Sequence, residues 1–471
     1  MTDPSEPSGT GARFRRERDL LGTREVPAEA YWGIHTLRAR ENFQISGEPI
    51  GRRRHLIRGL AAVKRAAAEA NRDLGLLGPE RAEAILVACE EIRDGALRDQ
   101  FVVDVLQGGA GTSTNMNLNE VIANRALELL GREKGEYARL HPIDDVNLSQ
   151  STNDAYATAI RIALIDAGVA LSAAMDRLRG AFAAKSLEFA KAVKLGRTQL
   201  QDAVPMTLGQ ELGTYATMIE EDQRLLAATL GLLHEINLGG TAVGTGIAAP
   251  PGYAELARAH LERLTGLPLT TAVDLVEATQ DAGAFVQLSG TLKRFAVKLS
   301  KICNDLRLLS SGPLGGLGEL RLPAVQAGSS IMPGKVNPVI PEVVNQIAFE
   351  AIGADLTVTM AAEGGQLQLN AFEPVIYKTI DDSLAHLGAG CDTLAERCVA
   401  GLEADLTRLS AAVEGAVTGP VTGLAAYIGY AAATALAEEA LTTGRSVQEL
   451  ALEKHILSEE ILSRVFGSVS N

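Results

Sequence analysis

The sequence predicts an all-α protein built around long helices, and three observations carry that prediction. Hydrophobic residues make up 46% of the 471-residue chain while aromatic residues make up only 4%, a composition suited to close helix–helix contact rather than to a sheet core. Apolar residues recur at steps of three and four, the spacing that lays one helix face against a partner. The Gly-rich segments QGGAGTSTNMN (107–117), LGGTAVGTG (238–246) and AGSSIMPGKVNP (327–338) fall between such stretches as breaks.

The repeat is clearest between Asp281 and Ser311, in Phe285, Leu288, Leu292, Phe295, Leu299, Ile302, Leu306 and Leu309. Leu212, Ile219, Leu226 and Leu233 stand at heptad spacing, and Ile376, Ile380, Leu384, Leu387, Cys391, Leu394 and Cys398 again step by three and four. The apolar run from Ala155 to Val193 and the segment from Pro341 to Ala362 bring the expected long helices to five, some approaching ~45 Å for ~30 residues. Helices of that length leave apolar faces that one chain does not cover, which implies a bundle shared between subunits. A monomeric array is the weaker reading, since no repeat of constant length is present. Residues 1–150 show a shorter, mixed pattern and are read as an N-terminal helical domain, 151–405 as the central long-helix domain, and 406–471 as a small C-terminal helical domain. The last includes a helix pair in SVQELALEKHILSEEILSRVF.

A formal charge of -14 argues against nucleic acid or an anionic membrane as a partner, so an anionic substrate must be captured by local groups. The opening MTDPSEPSGTGARFRRERD is polar and lacks an apolar stretch, and is expected to be a flexible tail rather than a signal peptide. No run of ~18 apolar residues is apparent. Cys89, Cys303, Cys391 and Cys398 are scattered and form no C-x-x-C pair, which reads as buried thiols. A cytoplasmic protein is expected.

The chemistry is concentrated in the breaks. GSSIMPGKVNP, Gly328 to Pro338, packs two hydroxyls, a cation and a carboxamide between glycines and prolines. Glycine lets backbone N–H groups approach an anion, Lys335 supplies a point charge for a carboxylate, and Asn337 adds orientation. Thr112-Ser113-Thr114-Asn115 and Ser151-Thr152-Asn153-Asp154 are runs of hydrogen-bonding side chains, the second just before a long apolar helix. Either run alone is more often a helix cap, but their joint presence favours a binding site. GRTQLQDAVP, Gly196 to Pro205, adds an Arg, a Thr and a Gln beside another break.

At this point a resemblance covers nearly the whole chain. DLLGTREVPAEAYWGIHTLRARENF, QGGAGTSTNMNLNE, QSTNDAY, GRTQLQDAVPMTLGQE, KICNDLRLLSSGP, GSSIMPGKVNP and MAAEGGQLQLN resemble, in order, segments of the aspartase/fumarase superfamily, and are most similar to its ammonia-lyase branch. The resemblance implies a three-domain all-helical protomer, a twenty-helix core in a homotetramer, and active sites shared between three protomers. It implies reversible anti elimination of ammonia from L-aspartate to give fumarate through an aci-carboxylate. Ser329 matches the base that takes the C3 proton, in a loop that closes over the site. Thr112, Ser151, Thr152, Asn153, Thr198, Gln199, Lys335 and Asn337 match substrate-binding groups, and Ser330 is a further donor. No cofactor is implied; activation by a divalent cation occurs in relatives, though no ligand cluster is visible here.

Two alternatives remain within the superfamily: fumarate hydratase, and a lyase acting on a modified aspartate. In fumarases the residue matching Gln199 is typically His, working with a carboxylate equivalent to Glu342. Glutamine is no such base, so Gln199 leans towards ammonia chemistry. A non-catalytic protein on the same fold is disfavoured by intact Ser329, Lys335 and Asn337. The chain lacks the Ala-Ser-Gly tripeptide from which aromatic ammonia-lyases make their electrophile. GLAAYIGYAA, Gly423 to Ala432, departs from the Asn-Pro lead of many relatives, which puts closure of the C-terminal domain and substrate range in question. His141 matches a second anion site of fumarases, and Arg38 is a minor candidate for a carboxylate.

Overall fold

The computed structural model describes residues 13–458 and 460–462. Two antiparallel strands come first, β1 (Phe14–Asp19) and β2 (Gly22–Pro27), in register from Phe14 opposite Pro27 to Asp19 opposite Gly22. Residues 14–19, expected to belong to a flexible tail, are thus a paired strand. The reason is tertiary: the Arg15 guanidinium donates to the carbonyls of Pro27, Ala30 and Trp32, and the Glu17 carboxylate accepts the Ile34 N–H. Residues 1–12, the rest of that expected tail, lie outside the described residues.

Helices α1 (Ile34–Asn42), α2 (Arg54–Asp73), α3 (Pro79–Arg93) and α4 (Thr112–Leu129) follow. Pro79 begins α3 where its missing N–H costs nothing. The Glu120 carboxylate on α4 accepts the N–H groups of Gly33, His35 and Thr36 together with the Thr36 hydroxyl, tying down the start of α1.

All five expected long helices are present. They are α5 (Thr152–Glu188), α6 (Leu208–Gly231), α9 (Gly283–Leu309), α10 (Val339–Glu363) and α11 (Glu373–Leu394). Every residue of the three apolar repeats is buried, so the periodicity marked the packed faces. Among the described residues α5 alone is long and apolar enough to cross a bilayer, a feature the sequence reading did not anticipate. Its most apolar stretch is 72% buried inside the protein, which is the behaviour of a core helix. The four cysteines are free and buried, as expected.

The shorter elements are the hairpin of β3 (Val193–Thr198) and β4 (Gln201–Thr207), the parallel pair β5 (Glu235–Ile236) and β6 (Thr270–Thr271), helices α7 (Tyr253–Thr265) and α8 (Leu275–Ala278), and the pair β7 (Leu320–Arg321) and β8 (Glu403–Ala404). The C-terminal part holds α12 (Leu406–Glu414), α13 (Thr418–Ile428), α14 (Tyr430–Thr443) and α15 (Val447–Glu453). The second half of the expected terminal helix pair lies largely outside the described residues.

The chain divides into two compact units. Among the described residues, the first comprises 13–170, 226–292 and 353–385, and the second 171–225, 293–352, 386–458 and 460–462. In the first, α2 packs against α3 and α7, and α4 against α1 and α3. In the second, α12 and α13 pack against the β3–β4 hairpin, while Leu424, Leu436, Val447 and Leu450 form the core of α13–α15. A Cβ at Gly419 would stand 2.8 Å from the Pro205 ring, so α13 meets the hairpin through a residue with no side chain. In the divergent GLAAYIGYAA segment, Gly429 at φ +80° makes the break between α13 and α14.

Candidate active site

In the first unit the predicted runs stand at two helix N-termini. Thr112 opens α4 after Gly111, whose φ is +86° and whose hydrogen faces the Tyr156 ring; a Cβ there would lie 2.5 Å from a ring carbon. Ser151 caps α5: its Oγ accepts the Asn153 N–H at 3.2 Å, and its own N–H donates to Asp154 Oδ1 at 2.9 Å. The N-cap hydroxyl thus accepts the second helical N–H while Asp154 reaches back to the Ser151 N–H, so Ser151 is a helix cap. Thr152, one residue on, is half-buried and accepts a 3.1 Å hydrogen bond from Asn115 Nδ2 on α4. Thr112 lies one turn before Asn115, so the two predicted runs share one region.

A polar network supports them, joining Asn115, Asn153 and Asp154 of those runs to Lys64, Asn119, Asn147, Gln150 and Asn237, which the sequence did not mark. Fully buried Lys64 on α2 donates to Asn147 Oδ1 at 2.8 Å and Gln150 Oε1 at 2.9 Å. Asn147 Oδ1 also accepts from Asn115 Nδ2 and Asn119 Nδ2, each at 3.1 Å. Burial pushes the Lys64 ammonium down to about 7, with Asp154 opposing that shift. Asp154 is wholly buried and accepts the N–H groups of Gly239 and Thr241, both at 3.0 Å. Its burial raises its carboxyl pKa, opposed by those N–H groups and by Lys64. Asn153 Nδ2 donates to Ala242 O at 2.6 Å, and Asn237 Nδ2 donates to Asn153 O at 3.0 Å. The 238–246 loop is thereby fastened to the start of α5. Lys64 carries no local signature, since a Lys in a helical pattern reads by default as solvated surface.

In the second unit Thr198 pairs with Gln201, leaving Gln199 and Leu200 as a two-residue turn with φ of +53° and +63°. Asn and Gly usually fill such turns, so Gln199 is held in a strained backbone at an exposed hairpin tip. The hairpin is anchored by buried Lys194, which pairs with Glu211 at 2.6 Å and Glu319 at 2.7 Å, and by Arg197, which pairs with Glu319 at 2.5 Å.

The 328–338 loop closes on itself. Gly328 N–H donates to Lys335 O at 2.9 Å, and Asn337 Nδ2 donates to Gly328 O at 2.6 Å. A Cβ on Gly328 would lie 2.3 Å from the Lys335 carbonyl, so only glycine fits. Ser329 Oγ accepts the N–H groups of Ile331 at 3.2 Å and Met332 at 2.9 Å. Ser330 and Lys335 are exposed. Asn337, expected at a carboxylate, is engaged in bracing the loop in this conformation.

The predicted residues thus form two groups, Thr112, Ser151, Thr152 and Asn153 in the first unit and Thr198, Gln199, Ser329, Ser330, Lys335 and Asn337 in the second. A cleft of about 550 Å³ in the first unit, lined by residues including Leu37, Arg40, Phe43 and Asp104, is bordered by none of them. Of the minor candidates, Arg38 is engaged with Asp19 at 2.6 Å, and His141 Nδ1 accepts the N–H groups of Ile143 and Asp144 in a turn. Among the described residues no cluster of His, Cys, Asp and Glu is arranged to hold a metal ion.

The mainly helical fold is that of a lyase, as the comparisons with known proteins show. The model of the Lyase family matches residues 22–353, and that of the fumarase C C-terminus residues 421–467. Aspartate ammonia-lyase of Pseudomonas fluorescens is 58% identical over 97% of this chain and 95% of its own, and that of Escherichia coli 52% identical over 97% and 96%. Among solved structures, a Brucella melitensis protein described as fumarate lyase:delta crystallin, bound to cobalt, superposes with a TM-score of 0.94 at 55% identity, covering 97% of this chain and 99% of that one. A class II fumarase from Schistosoma mansoni superposes at 0.91 with 33% identity, covering 98% of both chains. The chain belongs to the aspartate ammonia-lyase family of the aspartase/fumarase superfamily and is a carbon–nitrogen lyase.

Proposed function

We propose that this protein reversibly deaminates L-aspartate to fumarate and ammonia, without a cofactor, with Ser329 as the base. The observation that carries the mechanism is that Ser329 Oγ accepts two backbone N–H groups. A serine hydroxyl is a poor base, and donors aimed at its oxygen favour the alkoxide over the neutral form. Removing the C3 proton places a second negative charge on the adjacent carboxylate. Lys335, Asn337, Thr112, Ser151, Thr152, Asn153, Thr198 and Gln199, with Ser330 as a further donor, hold that charge in a site from which loop closure excludes water. Losing one such donor typically costs on the order of 3–4 kcal/mol of transition-state stabilisation, and these costs are not additive. The carbon–nitrogen bond then breaks on the opposite face and ammonia leaves.

We further propose a cytoplasmic homotetramer whose active sites combine residues of three protomers. Its support is a stripe on α10: Phe349, Leu356 and Met360 are 59%, 66% and 59% exposed, spaced as one helix face. Apolar side chains exposed in such a row suit burial against another copy.

The experiment is to supply L-aspartate, and separately L-malate, and follow fumarate absorbance with released ammonia. Fumarate and equimolar ammonia from aspartate alone is the expected result. Turnover of malate alone moves the assignment to fumarate hydratase, which Gln199 disfavours. Silence on both overturns the reading in favour of a modified aspartate or a non-catalytic role.

A further inference from the structure

The Lys64 network has a direction. A lysine side chain donates hydrogen bonds, and the two oxygens 2.8 and 2.9 Å from Nζ engage two of its protons whether or not a third is present. Asn147 must therefore turn its oxygen towards Lys64, and its Nδ2 donates to Gln150 O at 3.1 Å. With that oxygen fixed, Asn115 and Asn119 can face it only with their NH₂ groups. Asn115 Nδ2 then donates its other proton to Thr152 Oγ1 at 3.1 Å. A hydroxyl that accepts on its inner side has its own proton free to point elsewhere, which is what a substrate carboxylate requires. Reversing any one amide would set oxygen against oxygen or NH₂ against ammonium inside a buried network. Asn115 Oδ1 and Asn119 Oδ1 are buried without a hydrogen-bond partner among the described residues, the cost at which this polarity is kept.

We infer that Lys64 is a positioning residue that, through Asn147 and Asn115, fixes Thr152 as a hydrogen-bond donor towards the substrate carboxylate. The inference rests on the proposed reading of Thr152 as a substrate-binding group and deepens it. Neither Lys64 nor Asn115 need touch the substrate.

The test is a set of double-mutant cycles on the assembled full-length enzyme, with kcat and KM measured on L-aspartate. Lys64→Met removes the donor at the base of the network, and Asn115→Asp puts an acceptor-only group against Thr152. Each should lower kcat/KM by roughly tenfold to a hundredfold, the worth of one hydrogen bond to a charged group. In a Thr152→Val background the same substitutions should cost less than about threefold, because the group through which they act is gone. Equal losses in both backgrounds would mean a general structural role and overturn the inference, leaving the reading of Thr152 standing. A Thr152→Val enzyme with unaltered kcat/KM would overturn that reading and the inference with it. If Lys64→Met does not assemble, the Asn115→Asp cycle decides on the same criterion.

Discussion

Asp154 holds Thr241 in a left-handed backbone conformation: the Asp154 carboxylate accepts the Thr241 N–H at 3.0 Å while Thr241 sits at φ +54°. That conformation is a steric outlier for a β-branched residue, and it persists because surrounding bonds over-determine it. Asp154→Asn leaves one of three N–H donors facing an amide NH₂ in a dry interior. A loss of about 2–4 kcal/mol in stability is expected, with a fall in activity as the 238–246 loop relaxes. Chemical denaturation and kinetics on the purified variant check both. Unchanged stability would show that the carboxylate is dispensable.

Lys64 makes stability depend on pH in a stated direction. Its folded pKa is lowered to about 7 from an ordinary 10.5. Between those values the unfolded chain binds more protons than the folded one, so stability rises with pH across that window. Below pH 7 the ammonium is charged in both states and the burial penalty is fully felt. From pH 7 to 9 the native protein should gain about 2 kcal/mol more than Lys64→Met, measured by parallel denaturation. Identical pH dependences would refute a depressed Lys64.

Ser329→Ala removes the proposed base together with the acceptor of the Ile331 and Met332 N–H groups, which in this exposed loop can turn to water. Turnover of aspartate should fall by about a hundredfold to ten-thousandfold. The melting temperature should stay within a few degrees, because the Gly328–Lys335 and Asn337–Gly328 bonds that brace the loop do not involve the hydroxyl. Near-normal turnover in a well-assembled variant would remove Ser329 from the mechanism.

Gly111 admits no side chain. Gly111→Ala combines a positive φ of +86° with a Cβ placed 2.5 Å from the Tyr156 ring. The variant should lose about 2–4 kcal/mol and bind aspartate more weakly, since Thr112 and Asn115 ride on the helix that this glycine starts. Calorimetry and KM together test this.

The α10 stripe predicts assembly. If the proposed tetramer forms, Leu356→Glu should leave the protomer folded by circular dichroism but shift the mass measured by light scattering towards smaller species. A mass unaffected by charge at Leu356 would remove the α10 stripe as support for assembly.

Much of this architecture was legible in the residues, and the reasons are local. Helical periodicity repeats within a single segment, so Phe285 through Leu309 announce a buried face without knowledge of its partner. GSSIMPGKVNP, STND and GRTQ are likewise contiguous, and their unusual content marks them as candidate site segments. β1 was not legible, because the charge-rich stretch FRRERD looks like a solvated tail until β2 and the backbone carbonyls that receive Arg15 are in place.

What the sequence by itself determined was therefore the helical class, the five long helices and the chemical content of the site runs, all encoded by neighbours a few positions apart. Only the tertiary structure decided that Lys64, Asn115, Asn147 and Thr152 form one bonded chain, and that Asp154 reaches forward to Gly239 and Thr241. Those partners are separated by tens of residues. The polarity of a hydrogen bond is a property of two groups brought together, which no single stretch of sequence contains.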